Sequence, residues 1–338
     1  VTSPPHREGL SEYGYKQSMN IGAGIAFGLV AALCWGVADF CARGSSRTGG
    51  TFLTLFYVEI IATLGMLALN LPLGLISFAH ATPGMVALAI VINLAILGGA
   101  VLLYRAFAIG TLSLVSPIAA SFAAITALLS LLGGEQANPL QLVGIVLTVV
   151  GVTVASTVPA SSADNAEAHG PKASGRAGRW RLAPGLVEAL GAMLIFGVCY
   201  WALRFPVAAL GGTTTVFIAK LADTVVVVLI ALAGLLLYRL RGHTHKDGAT
   251  ERASWYVIRR PARAFWPWVV GVALLDTAAN VAYNIGITVS LTAVVSVISS
   301  LFSAVTVLLA WVFLRERLAR WQWAGVGAIL VGIVLVSA

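Results

Sequence analysis

The chain is short of charge. Only 10% of its 338 residues are Asp, Glu, Lys or Arg, while 59% are hydrophobic and the mean hydropathy is +0.93. Soluble globular domains carry about 25% charged residues, so that class is excluded. Cysteine is scarce as well: Cys34, Cys41 and Cys199 each fall inside an apolar run, which speaks against a disulfide framework or a thiolate metal cluster. Enzyme signatures are missing. No G-x-S-x-G, Walker A, H-E-x-x-H or Cys/His ligand set occurs, so nothing points to an enzyme, an ATP-driven pump or a cofactor. His243 and His245 form a lone H-x-H in a basic segment and read as a solvated loop rather than a metal site.

What the chain has is long apolar runs. Only helical bundles and closed barrels satisfy their backbone polar groups in lipid. These runs exceed the alternating segments of about ten residues that build a barrel, so the fold class is an all-α membrane protein. A span needs about 20 mostly apolar residues. Ten runs meet that length: 21–43, 51–72, 84–109, 112–133, 139–157, 184–205, 213–238, 265–288, 290–313 and 321–337. The first is too long for a secretory signal and lacks a small-residue cleavage site. Residues 1–20 read as a polar tail, and 158–183, rich in Ser, Ala, Gly and Pro, as a flexible linker.

The net charge of +8 does not imply nucleic acid, because no recognition motif accompanies it. The basic residues lie in connections, where they set orientation and meet anionic lipid. Odd-numbered connections hold Arg43 and Arg47, Lys172 to Arg181, Arg239 to Arg263, and Arg315 to Arg320. The opposite side holds only Arg7, Lys16 and Arg204. The positive-inside rule then puts the odd-numbered connections in the cytoplasm and both termini outside, for a multi-pass protein of the cell membrane.

The two halves, 21–157 and 184–338, repeat. Gly24, Trp35, Gly36 and Arg43 match Gly185, Phe196, Gly197 and Arg204 at a constant offset, and Phe56 and Glu59 match Phe217 and Lys220 at the same one. Ser116, Phe122 and Thr126 correspond to Ser296, Phe302 and Thr306; Glu135, Gln141, Gly144 and Gly151 correspond to Glu316, Gln322, Gly325 and Gly332. Five spans per half is an odd number, so the second half is expected upside down relative to the first. Inverted repeats place substrate sites near the midplane, at the interface of the halves.

The eighth run supplies the sharpest site hypothesis. Asp276, Asn280, Tyr283 and Asn284 fall four, seven and eight apart and form one polar stripe on an apolar helix. Such groups are costly in a membrane unless they meet a partner or a wet cavity. Trp35 and Tyr200, with Phe196 and Trp201, suggest an aromatic cavity wall. On the third run, Asn93 and Tyr104 are the candidate partners of the stripe, and Arg105 a weaker one that can snorkel to the interface. Leu97 stands opposite Asp276 in the repeat register, so the cavity is expected to draw its carboxylate from the second half alone. Glu59 and Lys220, at equivalent positions, form a candidate charge pair for coupling or register, with Asp223 near enough to neutralise Lys220. Asp39 and Glu188 read as interfacial. The Gly24-x-x-x-Gly28 spacing serves close packing within the chain or a homodimer face.

With the repeat laid out, the chain resembles the EamA family of the drug/metabolite transporter (DMT) superfamily. The likeness rests on the five-plus-five layout, on Trp35-Gly36, and on Gly134-Glu135 and Arg315-Glu316-Arg317-Leu318, each followed by a glycine-rich final run. It implies a secondary carrier of small metabolites, often an exporter of amino acids or drugs, with a central cavity and cytoplasmic termini. Pro117 fits the family habit, whereas the ninth run has Val297 at that place. Asp276 would bind a substrate amine or exchange a coupling proton, Asn280 and Asn284 would hydrogen-bond the solute, and Trp35, Tyr200 and Tyr283 would shape the pocket. An uncoupled facilitator, or a non-transporting membrane protein presenting basic loops to a cytosolic partner, are the other readings.

Overall fold

The computed structural model describes residues 20–79, 81–155, 184–240, 261–314 and scattered positions from 321 to 335. The expected tail, the linker, the H-x-H segment and the connection with Glu316 lie outside the described residues. Every regular element among the described residues is a helix: α1 (Ile21–Gly49), α2 (Thr51–Leu73), α3 (Pro83–Ile109), α4 (Leu112–Ala120), α5 (Phe122–Leu132), α6 (Pro139–Ala155), α7 (Leu186–Ala202), α8 (Arg204–Leu210), α9 (Gly212–Leu240), α10 (Phe265–Val289), α11 (Thr292–Ser299) and α12 (Phe302–Leu314). Among the described residues, eight spans are long and apolar enough to cross a membrane, and Pro139–Gly151 is a shorter apolar helix. The expected run 321–337 lies mostly outside the described residues, so the ten-span count reaches beyond them.

Local chemistry sets several ends. Asn20 caps α1 by accepting from Ala23 N at 2.9 Å, and Gly50 closes it at φ 84°, a conformation that favours glycine. Thr82 caps α3, with Pro83 at its first position. Three expected helices are broken rather than continuous. The fourth bends at Ser121, where the amide reaches Ile118 O at 3.2 Å and Ala124 N reaches Ser121 O at 3.1 Å. The ninth bends at Ser300–Leu301 with the same tightened pattern, Leu301 N to Ile298 O at 3.2 Å and Ser303 N to Ser300 O at 3.2 Å. The sixth turns at Leu203 and runs on to Leu210, beyond its expected end. Pro117 precedes only the first bend, so the second is made without a proline.

Helix α1 packs antiparallel against α10. Asn20 N bonds Val289 O at one end, and at the other a Cβ on Gly49 would collide with the Phe265 ring. Gly24 faces Ser290 with no room for a side chain, and a Cβ on Gly28 would come within 2.9 Å of Ile298. The Gly24-x-x-x-Gly28 face is thus filled from within the chain.

Contacts between the halves follow the repeat register. Thr126 Oγ1 donates to Gly197 O at 2.9 Å, and Thr306 Oγ1 lies 3.1 Å from Gly36 O, sharing its one proton with Phe302 O at 2.8 Å. Phe122 stacks on Phe302 at 6.3 Å between ring centroids. Thr63 and Thr224 meet hydroxyl to hydroxyl at 2.8 Å.

Candidate functional site

A cavity of about 80 Å³, measured as space open to the centre of a water molecule, lies midway along the bundle. At about 10–15 Å³ per water on that measure, it has room for several. Both halves wall it: α1, α2, α3 and α5 from the first, α7, α9, α10 and α12 from the second.

Lys220 stands in its wall. The ammonium nitrogen lies 2.8 Å from Asp276 Oδ2 and 3.3 and 3.2 Å from the two oxygens of Glu59. Glu59 comes from α2, Lys220 from α9 and Asp276 from α10, eleven residues into its helix, roughly 16 Å at 1.5 Å per residue. An ammonium with three donors can serve two carboxylates at once, and in an apolar bundle that mutual service is what makes each charge tolerable.

The polar stripe is divided. Asp276, Asn280 and Asn284 line the cavity. Asn280 Nδ2 donates to Asp276 O at 2.8 Å, and its Oδ1 accepts from the Tyr200 hydroxyl at 3.5 Å. Tyr283 does not line the cavity: it is wholly buried behind the wall, its hydroxyl 2.7 Å from Ser296 Oγ. Its ring packs 5.7 Å from Trp35 and 5.0 Å from Tyr200, so it supports the two aromatics that do face the space. Trp35, Tyr200, Phe196, Phe122 and Phe302 make the aromatic wall. Trp201 is absent from the lining; its ring carries the Arg204 guanidinium at 4.8 Å.

From α3, Asn93 and Tyr104 line the cavity; Asn93 Nδ2 is engaged with Ala89 O at 2.7 Å. Arg105 turns away and pairs with Glu188 at 3.4 Å, which gives Glu188 a protein partner where head groups were expected. Asp223 lines the cavity rather than bonding Lys220.

Two expectations need correction. Asp39 is not interfacial. It is buried, lines the cavity and accepts from Ser116 Oγ at 3.4 Å. The reason is that α1 continues to Gly49, so Asp39 stands near mid-helix. Nor does the second half alone supply the carboxylate: Leu97 is in the wall as its register implied, but Asp39 and Glu59 bring two carboxyl groups from the first half beside Asp223 and Asp276 from the second. The sequence reading also missed a pair at one end of the bundle, Arg204 to Glu135 at 3.6 Å, with Glu135 Oε2 accepting from Ala293 N at 3.0 Å. Its signal was present, since Glu135 and Arg204 are both repeat positions. No group of His, Cys, Asp and Glu among the described residues is arranged to hold a metal.

The EamA-like transporter family matches this chain twice, over residues 22–157 and 183–338. No curated protein matches it. A crystal structure described only as that of a protein superposes with a TM-score of 0.65 at 17% identity, covering 93% of this chain and 96% of that one; at that identity the likeness is one of fold.

Proposed function

The chain belongs to the EamA-like transporter family of the DMT superfamily and is a multi-pass membrane transporter; on that premise we propose that it is a secondary carrier. It moves a small solute across the cell membrane by alternating access and acts as an exporter. Its ten spans form two inverted five-helix repeats, with the cavity between them as the binding site. The supporting observation is the placement of Glu59, Lys220 and Asp276. Three charges from three helices, two of them at matching repeat positions, meet beside a space open to water-sized molecules. The matching contacts Thr126 to Gly197 O and Thr306 to Gly36 O accord with an axis relating the halves.

In this reading Lys220 holds Asp276 and Glu59 together while the cavity is in one state. A rocking of the halves loosens the cluster, because its members sit on helices of both. Asn280, Asn284, Asn93, Tyr104, Tyr200 and Trp35 then present polar and aromatic groups to the solute. Coupling to a proton would run through the carboxyl groups of the cluster.

The test is transport in proteoliposomes of solutes first found by thermal-shift screening of metabolites on the purified chain. An imposed proton gradient should drive accumulation, and Asp276→Asn should abolish that drive. Transport and pH dependence unchanged in Asp276→Asn would remove the role given to Asp276. Transport that equilibrates but never accumulates would instead make the protein a facilitator.

A further inference from the structure

The cavity carries more acid than base. Asp39, Glu59, Asp223 and Asp276 line it, and Lys220 is the one cationic side chain among the described residues that does. The ammonium is committed to Asp276 and Glu59. Asp39 takes the Ser116 hydroxyl. Asp223 is left over. It is 5% exposed, and its Oδ1 has no hydrogen-bond donor among the described residues. Asn284 repeats the pattern at another level of the wall: 3% exposed, with Oδ1 lacking a donor.

Buried acceptors without donors are expensive, and the cost is greatest when the acceptor is a carboxylate. Both residues belong to the wall of the same space, and both ask for N–H or O–H groups. An excess of carboxyl groups in a low-dielectric enclosure adds a sign to that demand: a cation is drawn in, and a second carboxylate is repelled. The same lining is rich in aromatic rings, with Trp35, Phe122, Phe196, Tyr200 and Phe302. Aromatic faces suit an apolar body and attract the cation attached to it.

We propose, resting on the transporter reading above, that the solute class is a small aromatic or apolar amine without a carboxylate, whose ammonium is received by Asp223. Amino acids are thereby disfavoured, since their carboxylate would enter an acidic space whose Lys220 ammonium is already paired.

Titration calorimetry on the purified full chain in detergent tests this with phenethylamine, phenylalanine, 3-phenylpropanoate and phenethyl alcohol, four probes that share a ring and differ in charge. Phenethylamine should bind about tenfold or more tightly than each of the others, a difference of about 1.4 kcal/mol. Asp223→Asn should remove that preference, and Asp223→Glu should keep it. Equal or tighter binding of the alcohol, the acid or the amino acid overturns the assignment, as does no binding of phenethylamine to the wild-type chain or unchanged affinity in Asp223→Asn. Counterflow of the same probes in proteoliposomes separates the two claims. Amine binding without transport removes the carrier reading but keeps the cation site, and preferential transport of phenylalanine does the reverse.

Discussion

Thr63 and Thr224 touch through their hydroxyl oxygens at 2.8 Å and are 161 residues apart in sequence, the separation that also divides Glu59 from Lys220. Residues of equal rank in the two family-matched halves thus meet each other, and α2 and α9 touch at that place, as the proposed inverted repeat requires. Thr63 donates its single hydroxyl proton to Lys220 O at 2.8 Å, which leaves Thr224 to donate to Thr63. Thr63→Val therefore strips two hydrogen bonds and should cost about 1–3 kcal/mol, and Thr224→Val one, about 1 kcal/mol. Because one bond is shared, the double variant should cost less than the sum. A double-mutant cycle on unfolding in detergent measures this, and strict additivity would mean the hydroxyls do not interact.

The Lys220 cluster gives an asymmetric prediction. Lys220→Met leaves Glu59 and Asp276 facing each other's charge without a counter-ion and should destabilise the chain by about 3–5 kcal/mol, the usual cost of breaking a buried pair from one side. Adding Glu59→Gln to Lys220→Met should recover part of that loss, since one stranded carboxylate is gone. Thermal unfolding of the purified variants decides it: a double variant less stable than Lys220→Met would show that Glu59 has a further, independent role.

Much of this site was legible in the sequence, and the failures share a physical cause. Asp276, Asn280 and Asn284 announce themselves because helical spacing and polarity in an apolar run are local properties. The bond from Lys220 to Asp276 is not local: it joins α9 to α10, and no spacing rule reaches between separate helices. Tyr283 shares the stripe's spacing but points to Ser296: on a helix of 3.6 residues per turn it falls on the far side of Asp276 from Asn280 and Asn284, the edge of the stripe turned from the cavity. Asp39 was misplaced because the polar sequence after Arg43 reads as a loop, although it stays helical to Gly49. There Arg47 donates to Gly110 O at 3.1 Å, and Thr48 returns its hydroxyl to Gly44 O at 2.8 Å. The bends at Ser121 and Ser300 carry no shared proline, so composition could not locate the second.

Close helix approach yields a paired prediction. An alanine Cβ at Gly197 would fall 2.6 Å from Ile125 Cβ, and one at Gly36 would fall 2.5 Å from Val305 Cβ. Both carbonyls accept the threonine bonds described above, so moving either helix outward also stretches a buried hydrogen bond. Gly36→Ala and Gly197→Ala should each cost about 1–3 kcal/mol through overpacking. Ile125→Ala should restore part of the loss in Gly197→Ala but not in Gly36→Ala, and Val305→Ala the converse. Melting temperatures of the six variants test this, and rescue that ignores the pairing would show that the glycines act through backbone freedom instead.

Orientation in the membrane can be settled from the two ends of the bundle. At one end the Arg47 side chain reaches Gly110 O, and Gly49 abuts Phe265, so the first, third and seventh connections lie together. These belong to the odd-numbered set that holds most of the lysine and arginine. At the other end Ser77 N bonds Thr214 Oγ1 at 3.2 Å, Asn20 N bonds Val289 O, and Glu135 pairs with Arg204. The positive-inside rule makes the first end cytoplasmic. Thr111, Ala262, Ala79 and Gln136 are exposed at these ends and serve as single-cysteine reporters in a background where Cys34, Cys41 and Cys199 are replaced. Ala79→Cys and Gln136→Cys should react with a membrane-impermeant maleimide on intact cells, and Thr111→Cys and Ala262→Cys only after lysis. The reversed pattern would put the basic end outside, in line with the cytoplasmic termini that the family likeness implies.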